Sequence, residues 1–175
     1  MGNALVTLIL TMLVLVGVLT LASGSLYSLN AISGSWKQME QQMIERNRTQ
    51  IGCVNATANA TQMEIIVANE GNVSLNDFAH WDVIVQYYDG GDDYHAEWLP
   101  YTTNPTPSSN QWTVDSIFFQ GGSEAIEPGI LNPGEEMEII AELYPAVGEN
   151  TTVQATVATF NGICSQIIFQ EGGLW

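Results

Sequence analysis

Few side chains in this sequence carry chemistry, and those that do fall into three groups. Cys53 and Cys164 are the only cysteines. They bracket nearly all of the chain beyond residue 50, so outside the cell they read as one bridge tying the first strand of a domain to its last. In the chain-entropy picture, closing a loop of that length contributes about 4 kcal/mol. The alternative is two unpaired buried thiols. Asp89-Gly90-Gly91-Asp92-Asp93, with Glu97 close behind, gathers carboxylates on a glycine-bent loop, and hard oxygen ligands of this kind suit Ca²⁺. The spacing of an EF-hand is absent, so a solvated hairpin turn stands beside the metal reading, with Asp89, Asp92 and Asp93 as candidate ligands. The third group is five Asn-x-Ser/Thr sequons, at Asn47, Asn55, Asn59, Asn72 and Asn150, which are acceptors for N-linked glycan. His80 and His95 stand alone, with no third ligand at metal spacing. No nucleophile elbow, phosphate loop or His-Glu-x-x-His is present, so no enzyme is expected, and Ca²⁺ is the one candidate cofactor.

The elements that must position these groups begin with the amino-terminal segment. Its first 35 residues hold no charge, and the apolar run Ala4 to Ala22 is long enough to cross a bilayer as a helix. Lys37, Arg46 and Arg48, the only cations, all follow it. Cations there would hold the downstream region in the cytoplasm, against the evidence of the sequons and cysteines. A basic leader removed just before Met1 resolves the conflict. Subunits processed in that way sit in the membrane as precursors and are then packed helix against helix in a filament. Leu5, Leu8, Ile9, Met12, Val14, Leu15, Gly17, Leu19 and Gly24 are the expected assembly core, the glycines letting neighbouring backbones approach closely.

From Asn3 to about Arg48 nothing but glycine interrupts a helix that would run roughly 70 Å. Beyond Ile32 it turns amphipathic, with Ile32, Trp36, Met39, Met43 and Ile44 set against Lys37, Gln38, Gln41, Gln42 and Glu45. The Gly-, Ala-, Thr- and Asn-rich stretch 49–61 reads as a linker. After it the period changes to 2, and 62–69, 81–88, 94–99, 112–119, 136–144, 152–160 and 163–169 read as strands separated by turn residues. About seven short strands describe an antiparallel sandwich of immunoglobulin type. The expected organisation is therefore α+β: an assembly helix over 1–48, a linker over 49–61 and an outer β-sandwich over 62–175. Formal charge is −16, from 19 acidic and three basic residues, which excludes a phosphate backbone as partner and suits a solvated exterior.

The uncharged helix, the strand and turn Met63 to Gly71, the strand Trp81 to Val85, and Leu131-Asn132-Pro133-Gly134-Glu135 leading into a strand occur here in an order that resembles archaellins and, more broadly, type IV pilin-like subunits. Leu5, where bacterial pilins carry Glu, points to the archaeal branch. The resemblance implies a structural subunit of an extracellular motility filament, a homo-oligomer whose helices pack in the core while glycosylated sandwiches face outward. Two alternatives stay open. One is an adhesive pilin using Trp98, Tyr101 and Trp112 as contact surface; the other is a cell-surface binding domain that the helix merely tethers.

Overall fold

The computed structural model describes residues 2–119, 122–123 and 127–172. The expected mature start at Met1 and the expected sandwich end at Trp175 lie outside the described residues. The chain divides into two compact units, Met1–Ile44 and Glu45–Trp175.

Helix α1 spans Gly2–Arg48 without a break. Five of its hydroxyl residues bond back to carbonyls one turn earlier: Thr7 to Asn3, Thr11 to Leu8, Thr20 to Val16 and Gly17, Ser23 to Leu19, and Ser35 to Ala31. A hydroxyl satisfied within its own helix makes no demand on the surroundings, so this segment can sit in lipid.

The second unit is an antiparallel sandwich. Its strands are β1 (Ile51–Asn59), β2 (Gln62–Asn69), β3 (Asp82–Tyr88), β4 (Tyr94–Leu99), β5 (Gln111–Phe119), β6 (Gly122–Ser123), β7 (Glu136–Glu142), β8 (Thr152–Ala158) and β9 (Cys164–Gln170). One sheet has the order β1-β2-β7-β5, with the two-residue β6 at its edge, and the other the order β4-β3-β8-β9. Alternation builds the core: Met63, Ile65 and Val67 of β2 and Met137, Ile139 and Ala141 of β7 point inward. They meet Val83, Val85 and Tyr87 of β3 and Val153, Ala155 and Val157 of β8. Trp81 and Trp112 fill the largest spaces.

The immunoglobulin-like sandwich agrees with the expectation; the linker does not. Residues 51–59 form β1, paired with β2 from Ile51↔Asn69 to Asn59↔Gln62. Ala56 and Ala58 point into the core while Thr57 and Asn59 point away, so the period-2 pattern is present, written in residues too small and polar to register as a strand. A bulge between Cys53 and Asn55 leaves Val54 exposed.

Candidate functional site

Every expected core position of α1 is open. Leu5, Leu8, Ile9, Met12, Val14, Leu15 and Leu19 are all more than half exposed, and a methyl added at Gly17 or Gly24 would touch nothing. Ile32, Trp36, Met39, Met43 and Ile44 are exposed as well. Among the described residues this is the one helix long and apolar enough to cross a membrane. An apolar surface on all sides is covered either by lipid or by other helices.

The last turn of α1 belongs to the sandwich unit, and a set of polar contacts fastens it there. The Arg46 Nε–H donates to the Asn161 carbonyl oxygen at 2.8 Å, and the Asn161 amide donates to Thr49 Oγ1 at 2.8 Å. Thr159 Oγ1 donates in turn to Asn161 Oδ1. On the other side, the Asn72 amide donates to the Arg48 carbonyl oxygen at 2.9 Å and the Glu70 amide to that of Gln50 at 3.0 Å. This approach requires glycine at 71: a Cβ there would lie 2.5 Å from the Arg48 oxygen and 2.6 Å from the Gln50 nitrogen. In the sequence, Asn161-Gly162 and Asn69-Glu70-Gly71-Asn72 have the composition of ordinary turns. That both grip the helix end is a tertiary fact with no local signal.

Cys53 and Cys164 lie on strands of different sheets and do not bond. Cys53 N–H donates to Ser165 Oγ at 3.0 Å, and Ser165 adjoins Cys164. Neighbours on a strand face opposite ways, so the residue turned toward Cys53 is Ser165, and Cys164 points outward. Cys53 packs against the core, Cys164 is exposed, and both thiols are free. The expected Cys53–Cys164 bridge is thereby corrected. Burial pushes the Cys53 thiol pKa up, with the Ser165 hydroxyl pulling weakly the other way, so the reactive thiolate is disfavoured.

The expected Ca²⁺ loop is likewise corrected. Asp89 Oδ1 accepts from the amides of Gly91 (2.8 Å) and Asp93 (3.0 Å), and its Oδ2 lies 3.1 Å from His95 Nε2. Those amides and His95 hold the Asp89 carboxyl below its ordinary pKa. Its Oδ1 is thus committed to closing the hairpin, and Asp92 sits in a left-handed turn conformation with φ 63°. No group of three metal-ligating side chains converges among the described residues. His80 is an exposed residue paired with Asp77 at 2.8 Å.

Four sequon asparagines, Asn47, Asn59, Asn72 and Asn150, are exposed, whereas Asn55 is half-buried with its side-chain oxygen enclosed. Of the three aromatics expected as adhesive surface, only Trp98 is exposed. Trp112 is fully buried, and Tyr101 packs edge-on against it at 4.9 Å.

Residues 45–170 match the family described as conserved flagellar protein F, immunoglobulin-like domain. The chain belongs to that family. The match begins within the last turn of α1 and covers the whole sandwich. Among solved structures, the archaellum periplasmic stator protein complex FlaF and FlaG from Sulfolobus acidocaldarius superposes with a TM-score of 0.51 at 20% identity, over 69% of this chain and 89% of that one. The archaeal flagellin FlaB1 from Methanocaldococcus jannaschii gives 0.54 at 13% identity, over 73% and 92%. The archaeal flagellum of Methanospirillum hungatei strain JF1 gives 0.53 at 11%, over 92% and 91%. At such identities these likenesses speak for the fold alone. No curated protein matches in sequence. The family is one of structural flagellar proteins, and the expected archaellum relationship holds at that level.

Proposed function

We propose that this chain is a membrane-anchored, stator-type component of the archaellum, inserted by α1 with its sandwich on the outer side of the membrane. The observation that carries this reading is the family match over residues 45–170. Support comes from the likeness to the FlaF and FlaG stator complex and from the lipid-compatible helix with its self-bonded hydroxyls.

A second reading, the filament subunit, accounts for the same helix. The apolar surface of α1 runs all round the helix, as it must in a homopolymer whose helices form the core. Shearing filaments from cells that carry a tagged copy of this chain separates the two readings. The stator reading expects the tag in the envelope fraction, and expects cells lacking the gene to swim poorly. Recovery of the chain as a major protein of the sheared filaments would overturn it and establish the subunit reading.

A further inference from the structure

Among the described residues of the sandwich, nine large apolar side chains are exposed, and five of them share one face. These are Ile84, Tyr88, Tyr94, Trp98 and Ile168, on the outer side of the sheet β4-β3-β8-β9. Register sets them in rows: Tyr88 beside Tyr94, Ile84 beside Trp98, and Ile168 beside Gln154. The rings are held in place. Tyr94 Oη donates to Gln86 Oε1 at 2.8 Å, Trp98 Nε1 donates to Asp82 Oδ1 at 2.8 Å, and the Tyr88 and Tyr94 rings lie 5.4 Å apart at 57°. From Tyr94 to Trp98 the platform runs about 13 Å along the strand.

What separates this face from the rest of a chain of charge −16 is how little charge it carries. Asp82, already bonded to Trp98, is the one ionisable carboxylate among its outward strand positions, whereas the opposite sheet turns Glu64, Glu136, Glu138 and Glu142 outward. Between the rings stand Gln86, Gln154, Thr156 and Gln166, which supply amide and hydroxyl groups able both to donate and to accept. None of the five sequon asparagines lies on these four strands, so the protein's own glycans do not attach there.

The occupant can be argued from this composition. A basic protein would be drawn to the carboxylates of the other sheet. A wholly apolar partner would strand the glutamines against it. A ligand with a C–H face and a hydroxylated edge matches both features, because polarised C–H groups sit well on the negative face of an aromatic ring while hydroxyls pair with amides. We propose that the outer face of β4-β3-β8-β9 binds a neutral oligosaccharide. The proposal goes beyond the stator reading and does not depend on it.

The test uses the full chain in lipid nanodiscs and follows tryptophan fluorescence during titration with maltohexaose, cellohexaose, mannohexaose and, as an anionic comparison, hexagalacturonate. At least one neutral hexasaccharide should bind with a Kd of about 1 mM or tighter. Trp98→Ala, and separately the pair Tyr88→Ala with Tyr94→Ala, should each weaken binding about tenfold or more, while Phe160→Ala leaves it unchanged. Circular dichroism of each variant confirms folding, and calorimetric titration provides a readout independent of Trp98. The proposal is overturned if no neutral sugar binds, if hexagalacturonate binds as well as the neutral sugars, or if folded Trp98→Ala and the tyrosine pair bind like the unsubstituted chain. A face that proves to be occupied by a second copy, seen as dimers that sugar does not dissociate, overturns it too.

Discussion

Tyr87 sits in the core with its hydroxyl donating to the Pro145 carbonyl oxygen at 2.8 Å. Burial first, and then the carboxylates of Glu97 and Asp89, push its pKa up to about 12. The fold therefore holds the neutral phenol, and the unfolded chain, titrating at about 10, releases the proton more readily. Stability from this group is complete below about pH 10 and is lost as pH rises toward 12. Tyr87→Phe should remove that alkaline loss while costing about 1 kcal/mol at neutral pH, read from urea unfolding under both conditions. Asp89 has the opposite sign. Its depressed pKa contributes stability above the ordinary carboxylate value of about 3.9, and this is lost as pH falls through the lower, folded value. Asp89→Ala should lower the melting temperature and flatten its acid dependence, whereas Asp89→Asn keeps an acceptor for Gly91 and Asp93 and should retain most of the turn. Glycopeptide mass spectrometry of native material should find glycan on at least two of Asn47, Asn59, Asn72 and Asn150; modification confined to the half-buried Asn55 would refute the assignment. At this scale sequence was a poor guide. Residue type identifies a thiol or a carboxylate, but the pleat decides that Cys164 turns away from Cys53, and backbone amides decide that Asp89 Oδ1 closes the hairpin turn.

Strand β1 shows why elements are read unevenly from sequence. Strands β2 and β4 begin and end where alternation places them, because Met63, Ile65 and Val67 or the ring pattern of β4 announce a buried face. In β1 the inward residues are alanines, and small side chains leave little hydrophobic contrast, although the core needs them where the strand closes over it. The grip on the helix end was equally hidden, since Gly71 looks like any turn glycine until the Arg48 carbonyl is placed against it. Gly71→Ala should cost about 1 to 3 kcal/mol, as overpacking does, in urea unfolding of the full chain. Ala60 offers a contrast at the other end of β1. It occupies the two-residue β1–β2 turn with φ 52°, a left-handed conformation that costs a non-glycine residue about 1 kcal/mol. Ala60→Gly should therefore stabilise the hairpin by a few tenths to about 1 kcal/mol after the entropy of glycine is subtracted. The sequon at Asn59 is left intact.

On the scale of the molecule, the apolar helix followed by an acidic sandwich was legible from charge and period alone. The choice between anchor and filament core was not. Lipid tails and leucine side chains are about equally apolar, so a helix made for one suits the other, and the small residues that permit close packing are no burden in a bilayer. Val14→Asp distinguishes membrane residence in either case: a carboxylate near the centre of the span costs about 3 kcal/mol of insertion. The variant should shift toward the soluble fraction with its sandwich still folded, measured by carbonate extraction and circular dichroism. The fastening of the helix end carries one more consequence, a mechanical one. A pull arriving along the anchor would otherwise reach the sandwich at Ile51 and peel β1 from β2 one rung at a time, the weakest way to load a hairpin. Arg46 on the β8–β9 turn, together with Arg48 and Gln50 on the β2–β3 connection, intercepts the tension before it reaches the first rung and divides it between both sheets.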